Sequence, residues 1–352
     1  MGRYRSLDTL KGLCAIIITI YHGFAMFGRH QLLPHGYLAV EIFFIVSGFL
    51  MMARFDAVQI SKTRYKSFFI KRFWRIYPVF FAVTIIGAII GLYRIYIFDS
   101  FDRQIVTWVQ AFFLNILVLP HMGAEELIKN GTIYPFAFQV WTIFWEFIIG
   151  MVFLAWAKFG AKSTFTIYTI LFFGFFIAII FNPWINYHHP SLNIGWNNKT
   201  FFFGGGRALL SLFAGIIAAR YMAKLPEKYD NLLKTLAIVL LIVTAFYFNI
   251  RRNNLYFEYI LAYIGFPIMI AGLIKFKSVI LNNPIGDFFG KISYSMFMTH
   301  GFMLTITKTW FWMYNIKGDL YIGMVWLFCT ISIAYLIYKY IETPSGKIKI
   351  GL

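Results

Sequence analysis

The stretch LKGLCAIIITIYHGFAMF, residues 10–27, is long and apolar enough to approach a membrane crossing, yet it carries Lys11 and His22. Eleven residues advance a helix by about 1100°, three turns plus ~20°, and by about 16 Å along its axis. The ammonium and the imidazole therefore share one face. Lysine sits at the membrane mouth, and histidine lies near or past the middle. A titratable ring at that depth is either satisfied by a neighbouring helix or placed there to function. No small-residue cleavage site follows, so the stretch is expected to stay in the mature protein as a span.

The rest of the chain fits the same solvent. Of 352 residues, 60% are hydrophobic and 13% charged. Apolar runs at 10–28, 38–54, 76–97, 137–157, 164–181, 201–219, 232–250, 256–274, 291–311 and 320–338 read as crossings. Ile105 to Leu119 is shorter and contains Gln110 and Asn115, which suits a re-entrant or interfacial segment. The expected fold class is all-α: a polytopic transmembrane helical bundle of about ten spans plus that short segment. No linker, low-complexity tract or soluble domain interrupts it, so residues 1–352 read as a single integral-membrane domain.

Charge orients the bundle. With ten crossings, most of the 32 lysines and arginines fall on the side of the N-terminus, including those from Arg54 to Arg75, Arg220 to Lys234 and the C-terminal lysines. Counting residues 105–119 as a crossing would move the later groups to the other side. Positive residues collect on the cytoplasmic side, so both termini are expected there. The net charge of +18 is then a topology signal with some attraction to anionic membrane lipids, and it gives no reason to invoke nucleic acid. Cys14 and Cys329 fall inside expected spans, where a lone thiol is a small apolar residue, so neither a disulfide nor a metal site is expected.

Several polar residues stand out against this background. Arg72-Phe-Trp-Arg75, at the expected start of a helix, puts two guanidinium forks on one face beside the helix N-terminus. That arrangement suits phosphate, and equally a snorkelling anchor. Glu41, near the outer end of the second span, and Glu146, in mid-span, each need a cation, a hydrogen-bond donor or a proton. Either carboxylate can fix a histidine tautomer or serve as an interhelical hydrogen bond; Glu342 suits a cytoplasmic arginine or a structural bond. His300 is a second mid-span imidazole. Gly204-Gly-Gly-Arg207 lacks phosphate-loop spacing and reads as close helix packing. The loop from Asn182 to Thr200, with Trp184, Tyr187 and Trp196, would face outside as a candidate acceptor-recognition surface.

Taken in order, the motifs carry a resemblance. Leu7-Asp8-x-Leu10-Lys11-Gly12 with His22, Val40-Glu41-Ile-Phe43-Phe44-x-x-Ser47-Gly48-Phe49-Leu50, and Arg72-x-x-Arg75-Ile-Tyr77-Pro78 are followed by Val140-Trp141-Thr-x-x-Trp-Glu146. Arg207-Ala-Leu-Leu-Ser211-Leu-Phe-Ala-Gly215, Gly290-Lys-Ile-Ser293-Tyr294-Ser with His300, and Tyr340-Ile341-Glu342-x-Pro344 complete the set. Together they resemble the membrane acyltransferase 3 family over nearly the whole chain. The resemblance implies an O-acyltransferase of the bacterial cytoplasmic (inner) membrane. It moves an acyl group, commonly acetyl, from cytoplasmic acetyl-CoA or another acyl-CoA to a hydroxyl of a cell-surface polysaccharide or lipid-linked sugar. No metal or tightly bound cofactor is implied.

By the same resemblance His22 is the essential imidazole and Lys11, Arg72 and Arg75 are donor-side contacts; Trp141 and His300 are candidates for an acceptor or structural site. Glu41 stands where the family more often has Asp, and the Trp141 to Glu146 segment departs from a longer version. The chemistry fits the pattern: acyl transfer from a thioester to a hydroxyl needs a base near neutral pKa, with Glu41 and Glu146 as candidates to orient it. His22 can take the hydroxyl proton directly or be acylated itself, and both routes stay open. The ~16 Å between Lys11 and His22 resembles the reach of a pantetheine arm. A glycan or small-molecule transporter or flippase is the alternative, since intramembrane His and Glu also serve carriers; such proteins usually show paired repeats with broken helices, which this chain lacks.

Overall fold

In hydrocarbon every backbone N–H and C=O must be satisfied within its own segment or by protein, so uninterrupted apolar runs become helices. The computed structural model describes residues 4–24, 32–54, 65–97, 101–124, 127, 131–160, 191–276 and 283–346. Every regular element among them is helical. In chain order they are α1 (Arg5–Phe24), α2 (Ala39–Arg54), α3 (Tyr65–Ile97), α4 (Phe101–Ile116), α5 (Val140–Gly160), α6 (Phe201–Arg220), α7 (Asp230–Asn249), α8 (Leu255–Leu273), α9 (Pro284–Tyr314) and α10 (Leu320–Gly346).

Seven helical stretches among the described residues are long and apolar enough to cross a bilayer: α1, α2 with the short turn before it, α3, α6, α7, α8 and α10. Helix α9 is 31 residues long, but its Lys, His, Ser and Thr residues make it less apolar. Helix α5 covers the expected run at 137–157, and the run at 164–181 lies outside the described residues. The protein is thus an all-helical membrane bundle.

Two expectations at the start of α3 need correction. The helix begins at Tyr65, not at Arg72, so Arg72 and Arg75 lie about two and nearly three turns inside it and not beside its N-terminus. Phe69, Phe73, Tyr77 and Phe81 recur at i, i+4 and form a continuous ring ladder, with centroids 6.0, 4.3 and 5.8 Å apart. That apolar face extends the helix into the basic segment, and the guanidinium groups act through side chains without help from backbone N–H groups.

The short segment forms helix α4, which is not among the seven long apolar stretches. Helix α4 runs back along α3, with the Trp108 indole donating to the Ala88 carbonyl at 3.2 Å and the Tyr77 hydroxyl to the Ile116 carbonyl at 2.9 Å. The chain then turns: Tyr134 Oη donates to the Val118 carbonyl at 2.9 Å, and the His121 ring meets Gln110 at 3.2 Å. From the non-helical stretch before α5, Thr132, Phe138 and Gln139 line a cavity.

Small residues set two close helix contacts. Helices α1 and α9 run parallel, and a Cβ at Gly12 would fall 2.7 Å from the Phe289 backbone. Helices α2 and α6 meet where Gly48 faces the Leu212 carbonyl and Gly215 faces the Ile45 carbonyl. Without Cβ atoms the backbones approach closely, which is how helices associate where no hydrophobic driving force separates them from lipid. Arg5 pairs with Asp287 and Ser295 donates to Glu342 at 2.6 Å, so the start of α1 and the end of α10 lie at one end of the bundle.

Candidate functional site

The parallel contact of α1 with α9 brings two histidines to one level. Each follows its helix's contact glycine by ten residues, 12 to 22 and 290 to 300, so abutting glycines place the rings side by side. The His22 and His300 rings stack with centroids 5.3 Å apart and planes 20° from parallel. Phe138 meets both edge-on, at 5.0 and 5.6 Å, and Tyr21 closes on His22 at 4.8 Å. His300 is fully buried, whereas His22 is partly accessible from a cavity of about 300 Å³ that it lines.

The wall of this cavity is organised by Arg207 of α6. Its guanidinium forms a two-pronged ion pair with Glu41 of α2, Nη2 to Oε2 at 2.7 Å, with Nε bonding the other oxygen. Nη1 donates to the Ile194 carbonyl at 2.7 Å, Nη2 reaches the Tyr37 carbonyl at 3.3 Å, and the group lies 5.3 Å from the Trp141 ring. Arg207 and Glu41 are 2% and 0% exposed. One cation thus ties two helices to the loop that carries Asn193 and Trp196 into the cavity. Asn193 Nδ2 donates to Tyr21 Oη at 3.1 Å, and Gln139 Nε2 donates to the Met298 carbonyl at 2.6 Å. The loop is held again from behind: buried Glu258 accepts from Leu192 N and Tyr37 Oη, both at 2.7 Å.

A second cavity of about 220 Å³ opens beside the first, toward the end of the bundle where α1 and α9 begin. Lys11, Arg72, Arg75 and Lys291 give it four cations, against Glu146 and Glu342. Arg72 Nη2 donates to Glu146 Oε1 at 2.8 Å, Ser47 donates to the same oxygen at 3.2 Å, and Lys11 pairs with Asp8 at 2.8 Å. The charge of Arg75 faces Glu342. Val40, Thr142 and Phe297 line both cavities, so only these side chains and their neighbours partition one from the other. The face of α1 that carries Lys11 and His22 runs from the second cavity into the first.

The residues singled out from the sequence therefore separate into two groups. Lys11, Arg72, Arg75 and Glu146 meet in the basic cavity, and His22, His300 and Trp141 meet in the histidine cavity. Glu41 supports the latter through Arg207. The two carboxylates expected as partners for His22 are both engaged by arginines, and the ring beside His22 is another imidazole. Gly204 and Gly205 provide close packing as read, against Gly195 and Trp145. Trp196 lines the histidine cavity, while Trp184 and Tyr187 lie outside the described residues. Tyr21, Phe138, Gln139, Asn193 and Lys308 were not singled out; of these, Lys308 continues the His300 face at i+8. Among the described residues no three His, Cys, Asp or Glu side chains gather as metal ligands.

This ordered set of motifs, now placed on two adjoining cavities, coincides with a family pattern. The model of the acyltransferase 3 family, described as an acyltransferase domain, matches residues 4–339. The chain belongs to that family. Within the acyltransferase 3 family it is similar to a Staphylococcus aureus (strain COL) protein that carries a provisional O-acetyltransferase name, 25% identical over 370 residues, covering 97% of this chain and 57% of the relative. A Rhizobium radiobacter protein named protein 2 of the picA locus is 31% identical over 170 residues, 46% of this chain and 85% of its own. The chain thus spans just over half the length of the staphylococcal relative. No solved structure is matched by this acyltransferase 3 chain.

Proposed function

We propose that this acyltransferase takes an acyl group, acetyl in the first instance, from a coenzyme A thioester in the basic cavity and delivers it to a hydroxyl of a glycan or lipid-linked sugar in the histidine cavity. The observation that carries the reading is the shared lining: Lys11 and His22 lie on one helix face and line two cavities that have Val40, Thr142 and Phe297 in common. Cations suit the phosphates of the donor, and on this reading its thioester arm passes between the shared lining residues to the imidazole. The basic cavity faces the cytoplasm of a bacterial inner membrane, with both termini on that side, because positive residues collect there.

The chemistry then balances without a metal or bound cofactor. The acceptor oxygen forms a bond to the thioester carbonyl carbon, the carbon–sulfur bond breaks, and His22 takes the hydroxyl proton and passes it to the departing thiolate. In the two-step route the ring nitrogen first attacks the thioester carbonyl, the carbon–sulfur bond breaks and the departing thiolate takes the ring proton; the hydroxyl then displaces the ring nitrogen and returns its proton to the imidazole. His300 and Phe138 hold the His22 ring in plane, and Arg207 with Glu41 fixes the wall against which the sugar lies.

Charge on the donor side is testable directly. Replacing Arg72 and Arg75 together with alanine is expected to weaken acetyl-CoA binding about tenfold or more and to flatten its salt dependence, since charge-assisted phosphate contacts are lost. Calorimetry on the purified protein reads both quantities. Unchanged affinity and salt slope would reduce these arginines to helix anchors.

A further inference from the structure

The histidine cavity has a one-sided electrostatic lining. Among its described lining residues are two permanent cations, Arg207 and Lys308, and no carboxylate. Arg207 is compensated by Glu41. Lys308 is different: it sits exposed at the cavity mouth, no acidic side chain among the described residues forms an ion pair with it, and the like charge of Arg94 lies close enough to act on it. A cation at an opening, with a second one close enough to act on it, favours an anion there and steers one toward it. Behind them the lining changes to Trp141, Trp196, Asn193 and Gln139, aromatic faces and amides that suit a sugar ring. Lys308 stands eight residues beyond His300 on α9, about 12 Å along the axis.

On the reading that this cavity takes the acyl acceptor, we infer that the acceptor is an anionic saccharide. Its carboxylate or phosphate rests at Lys308 while a hydroxyl on the same or an adjoining ring reaches His22. A uronic acid within the glycan and the phosphate of a lipid-linked sugar present the same chemistry at that point.

Radiolabelled acetyl-CoA, supplied to membranes containing the full-length protein, labels whatever acceptor those membranes hold. The labelled product is expected to be retained by an anion exchanger. Reduction of its carboxyl groups abolishes retention if the charge is a uronate, and phosphate-ester cleavage abolishes it if the charge belongs to a lipid carrier. At limiting acceptor, Lys308→Gln is expected to lower incorporation about fivefold, the worth of one partly solvated ion pair, with the deficit shrinking at high salt. Lys308→Arg should restore incorporation. A labelled glycan that passes the exchanger unretained, or a Lys308→Gln protein that labels as well as wild type, overturns the inference while leaving acyl transfer itself standing. Absence of any labelled product from wild-type membranes would instead remove the transferase reading and this inference with it.

Discussion

Replacing His22 with alanine is expected to lower acyl transfer by about 10²–10⁴-fold, the range contributed by a positioned general base, while leaving the amount of inserted protein unchanged. Alanine is the best helix former, and the lost ring borders a cavity, so α1 keeps its contact with α9 through Gly12 and Gly290. His300 does not substitute for it. That ring also lines the cavity but is fully buried, whereas His22 is partly accessible from it. Transfer measured with labelled acetyl-CoA, at matched protein levels, reads the effect. Near-normal turnover in a correctly inserted His22→Ala protein would take the imidazole out of the mechanism.

Glu41→Ala is expected to cost about 3–5 kcal/mol of stability, because it strands the Arg207 guanidinium in a buried site without its counter-charge. Removing both partners together, as Glu41→Leu with Arg207→Met, should recover most of that loss, since a well-packed apolar pair avoids the desolvation of both ions. Denaturant titration of the purified variants in detergent measures the difference. A single variant as stable as wild type would mean that the pair is solvated and does not hold the loop through Ile194 and Tyr37.

How far the sequence could lead depended on whether partners were local. The Lys11 and His22 face needed only the helical period, and the spans needed only apolar length. The pairing of His22 with His300 was available in principle, because each lies ten residues beyond a glycine; knowing that those glycines touch required the fold. The ion pair of Glu41 with Arg207 joins residues 166 positions apart, and no periodicity links them. Glu41 therefore looked like a histidine partner when it serves an arginine. The start of α3 was misplaced because the positive charges from Lys66 to Arg75 hid an aromatic i, i+4 ladder that continues the helix. Ile105 to Leu119 stood apart from the expected spans in its length and its two amides, and the hydrogen bonds of Tyr77 and Tyr134 show how the turn after its helix is held.

Sidedness tests the two-cavity account most directly. Protein reconstituted into sealed vesicles can be given acetyl-CoA on one face and membrane glycan acceptor on the other. Orientation is fixed by labelling a cysteine placed at Asn193, on the histidine-cavity side. The account predicts labelled acceptor when acetyl-CoA is on the face of Lys11, Arg72 and Arg75 and the acceptor is on the Asn193 face, with the reverse arrangement inactive. Transfer that requires donor and acceptor on the same face would contradict it, because the partition at Val40, Thr142 and Phe297 would then separate nothing that the reaction needs to join.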